Sequence, residues 1–465
     1  MMKVTTSNKK VQDAPKKYTR LVLLGDKQGH RFVETKDGAT ELRFKIGKPA
    51  DVTPRKFIAI VRDIARTAQS HKIELLALDV PSAKEFAKLT TFGQDWVIST
   101  LVENLIIAGY EFLKYKSKPE NKTLLKEVLL CGLSDKKIIA RGLTVGEYVN
   151  TARDIANTPG DDMTPKVFGE TIQKLAKGTK VNVTVFDDKR IRKEGLHALW
   201  AVGKGADDLP RFVIMEYKGG KSGEKPIVLI GKGVTYDTGG LNMKPSGSMH
   251  EMHMDMSGGS SVALSILAAA KLGLKKNVIG LIPIAENAVS EKSMRAGDII
   301  NSHSGKTIEV LHTDAEGRLI LADALSYAKR YEPRVIVDVA TLTGASLVAL
   351  GQVASAVMGT DDKLADTLKI FGEESGDYVW PLPLWDEHKA PLTKTRADVI
   401  NIHPNFSKFG GAIEGGAFLS FFAPKSVPWA HLDIAPRMDA AAHDKLARGS
   451  TGEPVRLLIK LIEKF

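Results

Sequence analysis

Short apolar runs alternate with longer amphipathic stretches from residue 181 onward. Six runs have the length and composition of buried strands: VNVTVFD (181–187), RFVIMEYKG (211–219), KPIVLIGKG (225–233), NVIGLIPIA (277–285), PRVIVDVATL (333–342) and WAHLDIA (429–435). Helical stretches lie between them, for example SSVALSILAAAKLGL (260–274). Apolar strands separated by helices predict a mostly parallel central sheet that helices cover on both faces.

Residues 19–132 predict a smaller α/β unit. Its pattern gives strands at 18–25, 73–80 and 127–133, helices at 54–72 and 96–116, and a polar loop at 117–123. A further helix through LTVGEYVNTARDIANT (143–158) ends at Pro159–Gly160. We therefore expect an N-terminal α/β domain at 1–140, a linker helix at 141–160 and a larger C-terminal domain at 161–465.

No segment of the sequence predicts a membrane span or a secretory signal. The uncharged segment 339–360 contains three Gly, three Thr, two Ser and a Gln. Its polarity predicts a buried strand followed by a buried helix of small residues. The N-terminal residues 1–20 contain basic residues without an apolar core after them. Cys131 is the single cysteine, which excludes an intramolecular disulfide and fits a reducing cytoplasm.

The chain is basic, with a formal net charge of +11. Residues 1–50 contain twelve Lys or Arg against five Asp or Glu. Such a surface favours polyanions and is compatible with weak nucleic-acid binding. A solvated basic face explains the same charge, and no helix-turn-helix, zinc-finger or aromatic-basic motif is present in the sequence.

Carboxylates gather after two of the predicted strands. The segment after KPIVLIG contains Asp237 and Asp255, and HTDAEGRL (312–319) contains Asp314 and Glu316. Residues beyond the carboxyl ends of parallel strands meet at one edge of a sheet. Four carboxylates share a dry pocket only when cations neutralise them, and two divalent metals would do so. The alternative is a set of scattered surface ion pairs.

HTDAEGRL also allows a purely structural interpretation. Thr313 and Glu316 have the spacing of a capping box before the helical stretch LILADALSYAKR (319–330). Two lysines fit the metal interpretation, because Lys244 could polarise a carbonyl and a deprotonated Lys232 could donate its amine to a metal. His250 and His253 are the less favoured ligands, since the carboxylates already suffice.

Three segments together resemble the leucyl aminopeptidase (cytosol aminopeptidase) family. They are GKGVTYDTGGLNMKP (231–245), MDMSGG (254–259) and HTDAEGRLILADAL (312–325). ARDIANTPGDDMTP (152–165), VDVATLTGA (337–345) and WAHLDIA are similar to other segments of that family. The resemblance covers residues 145–465, whereas residues 1–140 match only in general plan, that of a macro-domain-like α/β domain.

The resemblance implies a metal-dependent aminopeptidase with two divalent metal ions per subunit. It implies that the tightly held metal is bound by Lys232, Asp237, Asp255 and Glu316, and the exchangeable one by Asp237, Asp314 and Glu316. Zinc is the expected metal, with manganese or magnesium at the exchangeable site. Lys244 is expected to polarise the scissile carbonyl, and Arg318 to hold a bicarbonate ion that acts as general base on a water between the metals.

The resemblance also implies a substrate pocket and an assembly. The residues expected to line an apolar pocket for the first side chain, suited to Leu or Met, are Met252, Thr341, Gly344, Ala435 and Met438. The substrates would be peptides, and the assembly a homohexamer. Two departures from the family pattern are His312, where Asn is usual, and His403–Pro404, where the family tends to be glycine-rich. A DNA-binding or regulatory protein that uses the basic N-terminal region is the alternative function.

Overall fold

The computed structural model describes residues 2–25, 30–118, 125–133, 135–406 and 409–465. Contacts between Cα atoms divide the chain into two compact units. The first contains residues 1–150 and 440–448, and the second contains 151–439 and 449–465. The sequence pattern did not predict that residues 440–448 belong with the N-terminal unit, since it placed all of 161–465 in the larger domain.

The N-terminal unit is built on one six-stranded sheet. Its strands are β1 (Lys3–Ser7), β2 (Thr19–Leu24), β3 (Arg31–Glu34), β4 (Thr40–Lys45), β5 (Leu75–Asp79) and β6 (Glu127–Cys131), and its helices are α1 (Pro54–Ser70), α2 (Gly93–Ala108) and the first part of α3 (Lys136–Ala156). The strand order is β1-β6-β5-β2-β4-β3. Among the described residues of this sheet, only the pairing of β3 with β4 is antiparallel.

Local sequence explains where the helices of this unit begin and end. Thr53 caps α1, because its side chain accepts a hydrogen bond from the Lys56 amide and Pro54 occupies the first helical position. The periodicity predicted a helix at 96–116, but α2 ends at Ala108. Gly109 follows as the C-cap, and its amide donates a hydrogen bond to the Leu105 carbonyl. Most of the loop predicted at 117–123 lies outside the described residues.

The larger unit contains a nine-stranded sheet and a three-stranded sheet. The strands are β7 (Val181–Phe186), β8 (Arg211–Lys218), β9 (Ile227–Gly231), β10 (Gly233–Asp237), β11 (Asn277–Asn287), β12 (Ile299–Asn301), β13 (Thr307–Glu309), β14 (Val335–Ala340), β15 (Ser355–Gly359), β16 (Val379–Pro381), β17 (Val399–Ile400) and β18 (Trp429–Asp433). The large sheet has the order β16-β15-β18-β14-β9-β11-β8-β7, with β10 also on β11, and the small sheet has the order β12-β13-β17.

The end of α3 and ten further helices accompany these strands among the described residues. After the end of α3 they are α4 (Pro165–Ala176), α5 (Asp188–Lys193), α6 (His197–Gly203), α7 (Ser257–Leu272), α8 (Gly317–Ala328), α9 (Gly344–Leu350), α10 (Asp362–Ser375), α11 (Asp386–Lys389), α12 (Gly411–Ser420) and α13 (Val455–Lys464). None of the described helices is both long and apolar enough to span a membrane. The predicted α/β fold class is confirmed, with a mostly parallel sheet in each unit.

The topology brings several strand ends to one edge of the large sheet. Strands β18, β14, β9 and β11 are consecutive and parallel, and β10 runs parallel to β11. Their carboxyl ends therefore lie at the same edge. The sequence pattern predicted β9 but treated GVTYD as a loop, whereas these residues form β10 along the same side of β11. Lys232 lies between β9 and β10, at the point where the chain passes from one to the other.

The segment 339–360 differs from its prediction. It contains the end of β14, the short helix α9 and the strand β15, so that one predicted helix is in fact a helix and a strand. The helix is also not buried, since Val348 is 88% exposed. Thr343 begins α9 by accepting a hydrogen bond from the Ser346 amide, and Gly351 ends it. Small apolar residues therefore failed to distinguish a buried helix from a surface one.

Candidate metal centre

Three buried carboxylates meet at the edge of the large sheet. Asp237 ends β10, Asp255 lies two residues before α7, and Glu316 directly precedes α8. One carboxylate oxygen of each lies within 4.8 Å of those of the other two. All three side chains come from separate segments, as the sequence predicted. Among the described residues, His250 and His253 do not join this group.

Lys232 lies between two of these carboxylates. Its Nζ is 2.8 Å from Asp255 Oδ2 and 2.8 Å from Glu316 Oε1. The same Nζ donates a hydrogen bond of 3.1 Å to the carbonyl of Thr341. The Lys232 side chain is only 3% exposed, so these contacts replace its hydration. The lysine predicted as a metal ligand is therefore in contact with two other predicted ligands.

Lys244 connects the fourth predicted carboxylate to the group. Its Nζ is 2.8 Å from Asp237 Oδ2 and 2.5 Å from Asp314 Oδ1. The Asp314 side chain is more open to solvent than the other three carboxylates, with 28% exposure against 1–4%. Such a difference fits one site that is closed and one that exchanges with solvent.

Close spacing and burial together disfavour the ionised forms of carboxylates in this group. Burial raises the pKa of Asp255 to about 7, against the lowering effect of Lys232. Burial and the neighbouring Asp237 raise the pKa of Asp314 to about 6. Burial likewise raises the pKa of Glu316. For Lys232 burial acts in the opposite direction, but the surrounding carboxylates outweigh it and raise its pKa.

These residues fit divalent metal ions. Glu316 Oε2 is buried without a hydrogen-bond partner, which is costly for a carboxylate oxygen unless a cation contacts it. Oxygen ligands from Asp and Glu suit Zn²⁺, Mn²⁺ and Mg²⁺. Two dications nearby would also favour loss of the Lys232 proton, and its amine could then act as a ligand.

Neighbouring polar groups orient the carboxylates, and the sequence pattern missed some of them. Asn287 donates a hydrogen bond of 2.8 Å to Asp237 Oδ1, which also accepts one from the Gly239 amide. The Thr341 hydroxyl donates one of 2.6 Å to Asp255 Oδ1. Partners of this kind fix the orientation of metal ligands. The position of Asn287 at the end of the apolar strand β11 was the available signal for its role.

Glycine allows the close approach of Lys232 to Glu316. A Cβ atom placed on Gly317, at the start of α8, would lie 2.6 Å from Lys232 Nζ and 2.6 Å from Lys232 Cε. No side chain can therefore occupy position 317 without moving the lysine. The amine passes directly over the first residue of α8 and reaches the Glu316 carboxylate beside it.

The capping box that the sequence allowed is not formed. The side chain of Glu316 makes no cap hydrogen bond at the start of α8. Thr313 instead donates a hydrogen bond of 2.6 Å to the carbonyl of Gly239 and accepts one of 2.8 Å from the Asn242 amide. Thr313 therefore joins the two loops that carry Asp237 and Asp314, while Glu316 faces Lys232.

Arg318 is buried and already has partners. One of its NH groups donates a hydrogen bond of 2.6 Å to the carbonyl of Asn401 and lies 3.1 Å from Glu414 Oε1. Its Nε is buried without a hydrogen-bond partner. A guanidinium with a free buried donor fits a small anion. The ion pair with Glu414 was not predicted, although Glu414 is the only charged residue of α12.

The five residues predicted for the substrate pocket all belong to the second unit. Thr341 is in direct contact with Lys232 and Asp255. Gly344 begins α9, which packs against the short 3-10 turn at Ala435–Arg437. That turn contains Ala435 and directly precedes Met438. Met252 begins another 3-10 turn, which ends just before Asp255.

The two departures from the family pattern differ in their contacts. His312 Nδ1 accepts a hydrogen bond of 3.3 Å from the Asp314 amide, and its carbonyl accepts one of 2.7 Å from Asn401. Burial, with Lys244 and Arg318 nearby, lowers the pKa of His312. His403 makes a local contact, in which its Nδ1 accepts from the Asn405 amide.

Fold and site together define a two-unit α/β protein with a buried, carboxylate-rich metal centre, the arrangement of a metal-dependent hydrolase. The chain belongs to the cytosol aminopeptidase family, whose catalytic domain matches residues 150–459. The resemblance predicted from the sequence is thereby confirmed, and the protein is an enzyme of the aminopeptidase class.

Relatives and solved structures agree with this family. A probable cytosol aminopeptidase of Aromatoleum aromaticum is 43% identical over 376 residues, which cover 79% of this chain and 74% of that protein. One of Paraburkholderia phymatum is 36% identical over 457 residues, covering 96% and 89%. The bottromycin maturation enzyme BotP in complex with Mn has a TM-score of 0.85 at 30% identity, with 100% and 99% of the two chains covered.

A second buried charged group lies on the neighbouring strands β14 and β18. His431 Nδ1 is 2.5 Å from Asp338 Oδ1, and Trp429 Nε1 donates a hydrogen bond of 2.6 Å to Asp338 Oδ2. Burial lowers the pKa of His431, but Asp338 and then Asp433 outweigh that effect and Arg318 opposes them, so that the pKa is raised. The pair therefore favours a protonated imidazole in the folded state.

The His431–Asp338 pair predicts a pH dependence of stability. Its contribution is complete below the unfolded-state pKa of about 6.5 and is lost as the pH rises through the higher folded-state pKa. Urea unfolding of EDTA-treated protein between pH 6 and pH 9 should show a larger fall in unfolding free energy for the wild type than for His431→Gln. Equal falls in the two proteins would contradict the assignment.

Proposed function

We propose that this enzyme removes apolar first residues, preferably Leu or Met, from peptides with a free N-terminus. The observation that carries the proposal is the buried group of Asp237, Asp255 and Glu316, with Lys232 and Lys244 in contact with it. Such a group suits two divalent cations, for which Zn²⁺ or Mn²⁺ is the proposed occupant and Mg²⁺ the proposed substitute. When bound, the metals supply Lewis-acid chemistry and lower the pKa of water.

The chain's own residues have separate roles in this proposal. Lys232, Asp237, Asp255 and Glu316 would hold one metal, and Asp237, Asp314 and Glu316 the other. The free amino group of the substrate would also bind a metal, which would explain exopeptidase specificity. Lys244, whose pKa the carboxylates raise despite burial, would donate a hydrogen bond to the scissile carbonyl oxygen.

Arg318 is the proposed anion-holding residue. Its buried Nε has no hydrogen-bond partner, which supports its holding a bicarbonate ion. That ion supplies general-base chemistry when bound. Met252, Thr341, Gly344, Ala435 and Met438 are proposed to line the pocket for the first side chain. The contact of Thr341 with Asp255 supports a pocket that opens beside the carboxylates.

Two chromogenic substrates test the proposed function. Metal-free protein supplied with Mn²⁺ or Zn²⁺ should release p-nitroaniline from Leu-p-nitroanilide, and EDTA should abolish the release. Acetyl-Leu-p-nitroanilide is the matched control, because its blocked amine should prevent cleavage. A fully metallated protein that is inert on a panel of free aminoacyl substrates, or that cleaves the blocked one equally well, would contradict the proposal.

The proposed assembly is a homohexamer in the cytoplasm. The family resemblance supports this assembly. Light scattering should give a mass six times that of one chain, and the mass of a single chain would contradict the hexamer.

The names of the relatives support the cytoplasmic location. A DNA-binding function is not proposed, because none of the comparisons supports it.

A further inference from the structure

Asp433, at the end of β18, is fully buried but belongs to neither set of proposed metal ligands. Its Oδ1 accepts hydrogen bonds from the amides of Leu342 at 3.1 Å, Thr343 at 3.4 Å and Ala435 at 3.2 Å. Its Oδ2 accepts one of 2.6 Å from the Thr343 hydroxyl. Hydrogen bonds to a carboxylate are roughly twice as strong as those between neutral groups. Asp433 therefore holds two segments, the turn after β14 and the turn after β18.

The first of these segments is the turn that touches the metal centre. Residues 341–343 join β14 to α9 without regular secondary structure. Within this turn, the Thr341 carbonyl accepts from Lys232 Nζ at 3.1 Å and the Thr341 hydroxyl donates to Asp255 Oδ1 at 2.6 Å. One turn thus contacts two proposed ligands at its first residue and Asp433 at its other two.

The contacts at Thr343 show how the turn is fixed. Its hydroxyl donates to Asp433 and accepts from the Ser346 amide at 3.2 Å, which begins α9. Residues 341–343 lie outside both β14 and α9, and the contacts with Asp433 supply hydrogen-bond partners for two of their amides. Without the Asp433 carboxylate, the Leu342 and Thr343 amides would lose their acceptor and the turn would relax.

We propose that Asp433 is a positioning residue that acts through the 341–343 turn on both the metal centre and the substrate pocket. It keeps the Thr341 carbonyl on Lys232 and the Thr341 hydroxyl on Asp255. Through the Ala435 amide it also fixes one wall of the proposed pocket. This inference rests on the proposed function, because it concerns metal binding and first-residue selection by the same site.

Metal binding by Asp433→Asn tests the inference. Asparagine keeps the shape and one acceptor oxygen but replaces Oδ2, which accepts from the Thr343 hydroxyl. Calorimetric titration of metal-free protein with Mn²⁺ should give a dissociation constant about tenfold higher than that of the wild type. This is the lower end of the roughly 10–100-fold cost of losing a direct partner of a metal ligand, because Asp433 acts on the ligands through Thr341. Activity on Leu-p-nitroanilide should fall and should recover in part at high Mn²⁺.

Asp323→Asn is the control for a merely structural effect. Asp323 is also fully buried and also accepts backbone hydrogen bonds, from Leu199 at 3.0 Å and His303 at 2.8 Å, without contacting the site. This variant should lower the melting temperature and leave the Mn²⁺ dissociation constant unchanged. An equal change of the Mn²⁺ dissociation constant in both variants would mean that Asp433 has only a structural role, and would overturn the inference.

Thr343 gives a second, independent measurement. Thr343→Val removes the hydroxyl and should weaken Mn²⁺ binding in the same direction, whereas Thr343→Ser keeps the hydroxyl and should bind like the wild type. If Asp433→Asn does not fold, the comparison of Thr343→Val with Thr343→Ser tests the inference instead. Unchanged Mn²⁺ affinity in Thr343→Val overturns the inference even when the wild type is an active aminopeptidase. An inactive wild type that binds Mn²⁺ would instead contradict only the proposed function.

Discussion

Replacing Lys244 with alanine is expected to lower kcat on Leu-p-nitroanilide by about 10²–10³-fold, the usual cost of removing one donor to a developing oxyanion. The ammonium of Lys244 has three N–H groups, and two of them face Asp237 and Asp314. One donor therefore remains for a substrate oxygen. Steady-state kinetics at saturating Mn²⁺ would measure the loss.

The control for this prediction separates electrophilic catalysis from metal retention. Metal analysis of Lys244→Ala should show nearly the wild-type content, because the carboxylates remain. Lys166→Ala removes an exposed lysine of the same unit and should leave kcat unchanged. If Lys244→Ala loses its metal together with its activity, then the lysine supports the metal centre and the assigned role is wrong.

Glu316→Gln is expected to abolish activity and the stabilisation that metal confers. In the wild type, Mn²⁺ at about 100 times its dissociation constant should raise the melting temperature by about 3–4 °C for each ion bound. The variant should show no such rise, since one buried anionic ligand is missing from both proposed sites. Thermal unfolding with and without Mn²⁺ measures the difference.

The metal-free forms of the two proteins should be similar in stability. Burial raises the pKa of Glu316, which means that its ionised form is unfavourable in the fold when no dication is bound. A neutral glutamine of the same shape removes that cost but also removes a partner of Lys232. If the EDTA-treated variant unfolds far below the EDTA-treated wild type, Glu316 is primarily a structural partner of Lys232.

The sequence was sufficient to predict that the carboxylates meet at one edge of the sheet, because strand ends are predictable. Asp237 and Asp255 follow an apolar run, and Asp314 and Glu316 precede an amphipathic one. A mostly parallel sheet gathers such positions at one edge, so that the spacing along the chain did not matter. HTDAEGRL alone allowed both a capping box and a metal role for Glu316, and the metal role was preferred because of Asp237 and Asp255. The contacts of Thr313 with Gly239 and Asn242 exclude the capping box, whereas the metal role stays a prediction.

Contacts that depend on tertiary packing were not predictable. Arg318 contacts Glu414 and the Asn401 carbonyl, both of which come later in the chain. Asp237 contacts Asn287, which lies on the neighbouring strand. Strand β10 was missed because it contains glycine and polar residues and is held by the apolar strand β11 beside it. Helix α9 has apolar residues in the pattern of a buried helix, yet its face is exposed.

Gly317 has a consequence for any survey of substitutions in this enzyme. It has no side chain, binds nothing and transfers no proton, yet a Cβ atom there would lie 2.6 Å from the Lys232 amine. In a library that randomises every codon, substitutions at position 317 should therefore be depleted as strongly as those at the proposed metal ligands. Substitutions at 316 and at 317 would then be poorly tolerated for different physical reasons. The reason at 317 would be lack of space, and the reason at 316 would be loss of a proposed metal ligand.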